Sequence, residues 1–324
     1  MKRKLFCGWV CLVTLLMLTG AVWAQDKYPS RPIEMVIPMG AGGTNDQIGR
    51  IYADQLGKDL GVTITAVNRT GGTGVQGTIY VTKARKDGYT FMIGSGAWLS
   101  YQPVVNKEVP YDPLKDFIPL GFVASVPQAI VVRNDSPFKT LGELVEYARK
   151  NPGKLKNAVG GLLTESHFSI ELLCYNENIK ITTVPFTSGA DSMTALLGGH
   201  VDIASNTLPS LGPQITAGQL RGLSVSSKTR HPDFPNILTT AELGYPYLNL
   251  LPWWGFYLPA GVPQEVVNVM TSAVEKVSRN PEVIQRIARL GFIPEYRGPE
   301  ELRKHLEEEI KMVRRVAESA GLIK

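Results

Sequence analysis

The stretch Val36-Ile37-Pro38-Met39-Gly40-Ala41-Gly42-Gly43-Thr44-Asn45-Asp46 is an apolar run that breaks into a glycine-rich turn and then opens an amphipathic helix. Ile48, Ile51, Leu56 and Leu60 recur at helical spacing before Gly61 stops it. The segment reads as a strand, a loop and a helix start. Glycines at 40, 42 and 43 let main-chain N–H groups converge on one point. The helix N-terminus behind them adds unpaired donors and the positive end of its dipole. That geometry suits an anion. Close packing alone also makes βα turns glycine-rich, so the rest of the chain has to decide between the two readings.

Working outward, residues 33–37 read as a buried strand and 62–67 as a second one. Gly71-Gly72-Thr73-Gly74, a helix to about residue 84 and a third strand over 89–93 follow, and the strand ends at Gly94-Ser95-Gly96. Strands that alternate with helices imply a parallel sheet, with all such turns on its carboxyl edge. The rhythm fails over the apolar runs 117–123 and 129–132, which Pro127 separates, and this is where the chain is expected to cross into a second lobe. Rhythm resumes at Thr140-Leu141-Gly142-Glu143, a capping box whose helix turns Leu141, Leu144, Val145 and Ala148 inward. Strands near 156–159, 181–184 and 201–204 alternate with helices, and their turns carry Gly160-Gly161 and Thr187-Ser188-Gly189. After a strand at 220–225 the chain should cross back. The expected layout is a signal peptide over 1–24, a first lobe over 25–124, a second over 125–226, and a return to the first over 227–324. The return holds a strand at Trp253-Trp254-Gly255-Phe256-Tyr257-Leu258 and three helices. The last helix carries Leu302, Leu306, Ile310, Val313 and Val316 on one stripe.

The first residues, Met1-Lys2-Arg3-Lys4, are basic, the run 5–18 is apolar, and Val22-Trp23-Ala24 suits a cut after Ala24, so the chain is expected to be exported behind a cleaved signal peptide. The apolar run is shorter than the ~20 residues of a membrane-spanning helix. With Lys2, Arg3 and Lys4 removed, 34 Lys and Arg against 29 Asp and Glu become 31 against 29. So small a balance, without a basic cluster, offers no footprint for nucleic acid. Cys7 and Cys11 leave with the signal, and Cys174, in an apolar helical patch, reads as a buried hydrophobe.

Known catalytic patterns do not assemble. Gly72-Thr73-Gly74-Val75-Gln76-Gly77 matches the dinucleotide fingerprint in form, but no acid for a ribose follows the next strand. Ser95 lacks the spacing of a nucleophile elbow, because Ile93 stands where its first glycine belongs. His167 is the sole candidate base, for Ser95 or Ser166 in a secreted hydrolase, and it reads better as a structural or ligand-orienting donor. Neither histidine pairs on one helix nor H-E-x-x-H occur, so no metal, cofactor or catalytic group is expected. What does assemble is two facing sets of donor-rich loops. Gly40, Ala41, Gly42, Gly43, Thr44, Asp46, Gly74, Gly94 and Ser95 belong to the first lobe, and Gly160, Ser166, His167, Thr187, Ser188, Gly189 and Asn206 to the second. Such a cleft holds a carboxylate through neutral dipoles. Trp98 and Tyr101 could wall it or pack in the core.

At these residues the chain resembles the periplasmic solute-binding proteins of tripartite tricarboxylate transporters, the Bug family. The resemblance runs from Tyr28 to the C-terminus. It rests on Tyr28-Pro29-Ser30-Arg31-Pro32-Ile33, the loop from Pro38 to Asp46, Val67-Asn68-Arg69, Asp87-Gly88-Tyr89-Thr90, Pro110-Tyr111-Asp112-Pro113, Asn151-Pro152-Gly153-Lys154, Leu196-Leu197-Gly198-Gly199-His200-Val201-Asp202 and Trp254-Gly255-Phe256. It implies an α/β, two-lobe type II periplasmic binding fold, a Venus flytrap with a parallel-rich sheet in each lobe and a hinge of two crossings. The fold would close on a small organic carboxylate and deliver it to the large and small subunits of a membrane permease. A sensor kinase is the alternative receiver, and a secreted hydrolase a more remote reading. First-lobe loops would grip one carboxylate and second-lobe loops would select the rest of the solute.

This chain departs from the family at two points. Thr44 stands where many relatives have a third consecutive glycine. Phe186-Thr187-Ser188-Gly189-Ala190-Asp191 replaces a turn that often carries lysine. If Asp191 faced the solute it would repel a second carboxylate and favour a hydroxylated, amidic or cationic distal end. If it served only its helix, it would favour the first turn.

Overall fold

The computed structural model describes residues 27–186 and 188–323, so the expected signal peptide and Thr187 lie outside the described residues. Two sheets organise the rest. In the first, β1 (Ile33–Ile37), α1 (Thr44–Leu60), β2 (Ile64–Asn68), α2 (Val75–Thr82) and β3 (Thr90–Gly94) follow the expected alternation. A π-helical turn, Ala97–Tyr101, runs into a short α3 (Gln102–Val105), and β4 (Phe117–Ser125) completes this passage. The second sheet is built from β5 (Gln128–Arg133), α4 (Leu141–Lys150), β6 (Lys156–Val159), α5 (Glu165–Glu177), β7 (Thr182–Pro185), α6 (Gly189–Leu197), β8 (Ile203–Thr207), α7 (Leu208–Thr216) and β9 (Leu220–Ser226). The chain then returns to the first sheet with β10 (Trp253–Pro259), α8 (Gln264–Ser278), α9 (Pro281–Arg289), β11 (Ile293–Arg297) and α10 (Pro299–Ser319).

The strand orders are β11-β4-β10-β3-β1-β2 and β7-β6-β8-β5-β9. Both sheets are mixed, which corrects the parallel-rich expectation. β2, β1 and β3 pair in parallel, as do β7, β6 and β8. The ladders of β10, β4, β11, β5 and β9 are antiparallel. Parallel pairing needs a crossover element. β4 leads to β5 through Val126 and Pro127 alone, and β10 follows a long irregular link, so these strands enter in the other sense. The two links between sheets lie side by side, since Val126 N–H donates to the Pro252 carbonyl at 3.0 Å.

Local signals worked where they were strong. Thr140 and Glu143 cap α4 reciprocally, and Leu141, Leu144, Val145 and Ala148 are buried. α10 straddles both cores: Leu302 and Leu306 pack with Val36, Phe122 and Trp253 of the first sheet, while Val313 and Val316 pack with Phe168 and Ile203 of the second. Glu309, between these two sets, is 5% exposed. Its burial lies on the same helix stripe as its apolar neighbours, a placement the charge-rich sequence conceals.

Candidate functional site

The turns that follow the parallel strands meet at a cavity of about 190 Å³. From the first sheet it is lined by Met39, Thr44, Asn45, Thr73, Ser95, Ala97 and Trp98. From the second come Gly160, Thr164, Glu165, Ser166, Gly189, Asn206 and Thr207, and Pro252 and Trp254 close it at the return crossing.

The glycine loop is braced from behind. Asp46 accepts hydrogen bonds from Gly42 N–H at 2.9 Å, from Arg50 Nε and from Asn68 Nδ2, and the same Asn68 amide donates to the Met39 carbonyl. Burial works against the Asp46 charge, yet these donors and the Arg50 guanidinium outweigh it and hold the carboxyl at about 2. Asp46 is therefore an anchor of the loop and does not line the cavity. Gly43 leaves the first turn of α1 without a side-chain cap, so its amides retain donor capacity. Asn45, in that turn, accepts from Trp254 Nε1 at 2.7 Å.

Trp98 is 1% exposed and rests on Gly74, where an added Cβ would lie 2.6 Å from the ring. Its carbonyl accepts from the Tyr111 hydroxyl at 2.6 Å, whereas its indole N–H is buried without a partner. Across the cavity, Asn206 Oδ1 accepts from Thr207 N–H, and its Nδ2 is buried and likewise unpartnered, packed over Gly189. Two donors thus lack acceptors on residues that line one cavity from different sheets. Orphaned buried donors cost free energy unless something else accepts from them.

Of the sequence-chosen residues, the structure brings together Thr44, Ser95, Trp98, Gly160, Ser166, Gly189 and Asn206 as cavity wall. Gly40, Ala41, Gly42 and Gly43 form an exposed loop beside it. Gly74 and Gly94 lie beneath, giving clearance to the Trp98 and Tyr257 rings. Ser188 caps α6 through Asp191 N–H and donates its hydroxyl to Asp191 Oδ2 at 2.8 Å, and neither residue lines the cavity. His167 is buried on α5; its Nδ1 accepts from Leu163 N–H, and its Nε2 lies 3.4 Å from Glu171. Both ring nitrogens therefore have partners, Leu163 N–H and Glu171, other than the Ser166 or Ser95 hydroxyl. Tyr101 joins the second core, where its ring packs against Phe168. Cys174 is partly buried, and burial pushes its thiol up to about 12. Among the described residues no metal-binding cluster occurs and no helix is long and apolar enough to cross a membrane.

Sequence reasoning missed Asn45, Trp254 and Glu165. Trp254 stands within a quoted signature, yet its bond to Asn45 spans 209 residues. Glu165 is an acid in the first turn of α5, a position that by itself singles it out for nothing but its helix. It is 6% exposed, and one of its oxygens has no partner. Burial first, and then the neighbouring Glu309 charge, push its carboxyl upward.

The family model described as "Tripartite tricarboxylate transporter family receptor" matches residues 48–322. A "UPF0065 protein in tcbD-tcbE intergenic region" from Pseudomonas sp. (strain P51) is 34% identical over 304 residues, covering 93% of this chain and 89% of its own. The structure titled "R. palustris Rpa4515 with adipate" superposes with a TM-score of 0.78 at 31% identity, over 91% of this chain and 98% of the other. "MatC (Rpa3494) from Rhodopseudomonas palustris with bound malate" gives a TM-score of 0.75 at 27% identity, over 89% and 99%.

Proposed function

The chain belongs to the tripartite tricarboxylate transporter receptor family, and from that premise we propose that it is a periplasmic binding protein that captures a small carboxylate solute and delivers it to a membrane permease. The observation that carries the reading is the pair of unpartnered buried donors, Trp98 Nε1 and Asn206 Nδ2, on walls contributed by different sheets. A carboxylate supplies acceptors of the kind both donors lack, and the uncapped first turn of α1 beside Thr44 adds main-chain donors. Gly40 to Thr44 and Ser95 grip one end, and Gly160, Ser166 and Asn206 meet the remainder. Asp191 is assigned to its own helix, whose first turn it occupies.

Contacts with both walls favour a closed population. The chain divides for this purpose into 25–124, 125–226 and 227–324, with Val126-Pro127 and the link before Trp253 as the hinge. Family membership favours a permease of large and small subunits over a sensor kinase as the receiver of the closed form.

A thermal-shift screen of the mature protein over organic carboxylates tests the reading. A true solute at about 100 times its Kd adds about 2.7 kcal/mol. Uniformly unshifted melting of folded protein across a broad acid library would remove the assignment.

A further inference from the structure

Glu165 and Glu309 come from different parts of the molecule and reach the same small space. Glu165 begins α5 on the second-sheet wall of the cavity, and Glu309 lies on α10 where that helix passes from one core to the other. Gly96 separates them. A Cβ placed there would be 2.8 Å from Glu165 Oε1 and 3.0 Å from Glu309 Oε2, so the two carboxyl groups face each other across the room of one missing methyl. Two carboxylates so placed and so buried do not both ionise readily.

The hydrogen bonds say which one keeps the proton. Glu309 accepts from the Ser100 hydroxyl, from Trp253 Nε1 at 3.0 Å and from the Tyr101 hydroxyl at 3.4 Å, all of which favour its ionised form. Glu165 has no such side-chain donors, and its Oε1 is left bare. The remaining titratable neighbours do not reverse this. His167 is engaged with Glu171 on α5, and Tyr101 and Tyr257 are buried phenols pushed well up. His305, one turn before Glu309, is pushed down to about 4 by burial and by Arg297. On its far side Glu309 borders a separate cavity with Lys228, Glu295, Arg297, His305 and Glu308, where Lys228 and Arg297 both pair with Glu295. Among the described residues neither glutamate forms an ion pair with Lys or Arg.

We propose that Glu165 is a specificity-determining residue of the cleft: it meets the solute as a neutral carboxylic acid, with Glu309 as the positioning residue that keeps its proton there. A neutral acid donates one hydrogen bond, so it receives a second carboxylate or a carbonyl oxygen at the solute's other end, where an ionised glutamate would receive a cation. This inference rests on the carboxylate reading above. It adds that capture of the acceptor end is linked to one proton, with affinity falling up to tenfold per pH unit once Glu165 titrates.

The test begins without ligand. Infrared difference spectra of the mature protein should show a protonated carboxyl at neutral pH that disappears in Glu165→Gln; absence of that band in the wild type overturns the proposal whatever ligands do. Calorimetric titration then compares dicarboxylates (adipate and malate included), oxo acids, plain aliphatic acids and amino-terminated acids across pH. The expected result is binding of dicarboxylates or oxo acids that weakens as pH rises, a flat profile in Glu165→Gln, and in Glu309→Gln a fall that begins at lower pH. Preference for amino-terminated or plain aliphatic acids overturns the inference and leaves the carboxylate reading standing, as does a wild-type pH profile retained in Glu165→Gln. Failure of every acid to bind, with the infrared band present, removes the carboxylate reading and this inference with it.

Discussion

The indole N–H of Trp254 donates to Asn45 Oδ1 at 2.7 Å, tying the central strand β10 to the first turn of α1 at the mouth of the cleft. Trp254 is 2% exposed, so its ring is fixed by packing and Asn45 takes its orientation from it. Trp254→Phe keeps most of the apolar contact and deletes the donor. A stability loss of about 1 kcal/mol is expected from the lost bond, together with weaker solute binding as the α1 terminus loosens. Urea unfolding and calorimetric titration check the two effects. Unchanged affinity would mean that Asn45 is positioned by other contacts.

Gly74 at φ +91° supports the face of Trp98, and a Cβ there would meet ring atoms at 2.6 and 2.8 Å. Gly74→Ala therefore combines a left-handed backbone with a collision that the buried ring cannot escape cheaply. The expected cost exceeds about 1 kcal/mol, and because the displaced indole lines the cavity, solute binding should fall with it. Near-ultraviolet circular dichroism reports the tryptophan movement independently of stability.

Much of this arrangement was legible because it is encoded locally. A strand followed by glycines and an amphipathic helix is written in consecutive residues, and so is the Thr140–Glu143 capping box, and the alternation of such units places the turns on one sheet edge. Thr44, Ser95, Gly160, Ser166 and Asn206 could be placed on that edge for this reason, and they line one cavity. β11, Ile293–Arg297, was not expected, since Ile-Pro-Glu-Tyr-Arg carries a proline and sits at the sheet edge, where propensity is weak. The reversed sense of β5 and β10 depends on where the links between the two sheets deliver the chain. Glu165 and Glu309 are separated by more than a hundred residues and become a pair only because α10 spans both cores. Asp46 was read as a ligand contact for a related reason: the spacing placed it at the loop but could not reveal that Arg50, Asn68 and Gly42 already occupy it.

Asp46 gives a sign-determined pH prediction. Its folded carboxyl is held at about 2, below its usual 3.8. A depressed carboxylate stabilises the fold above the unfolded value, and the contribution is lost as pH falls through the folded one. Asp46→Asn should therefore be less stable than the wild type at neutral pH, by roughly 1–2 kcal/mol once solvent screening of Arg50 is allowed for. The two proteins should converge as the pH drops from about 4 toward 2. A constant difference across that window would show that the loop bonds, and not the charge, carry the effect.

The opposite sign is expected at Glu165, whose carboxyl is raised in the fold by burial and by Glu309, while Glu309 is raised by burial against the pull of its three donors. A group that holds its proton more tightly when folded stabilises the protein below its unfolded value, near 4.5, and that contribution is lost as the pH climbs through neutrality toward the folded value. The decline cannot exceed about 1.4 kcal/mol per pH unit for each proton. Glu165→Gln keeps the neutral shape and cannot ionise. It should match the wild type near the unfolded carboxylate value and become progressively more stable than it on the alkaline side, a divergence measured by urea midpoints taken at a series of pH values without any ligand. A variant that instead falls behind the wild type as pH rises would mean that Glu165 is ionised and paired in the folded protein. The acceptor-binding role given to it would then have to be replaced by capture of a cation.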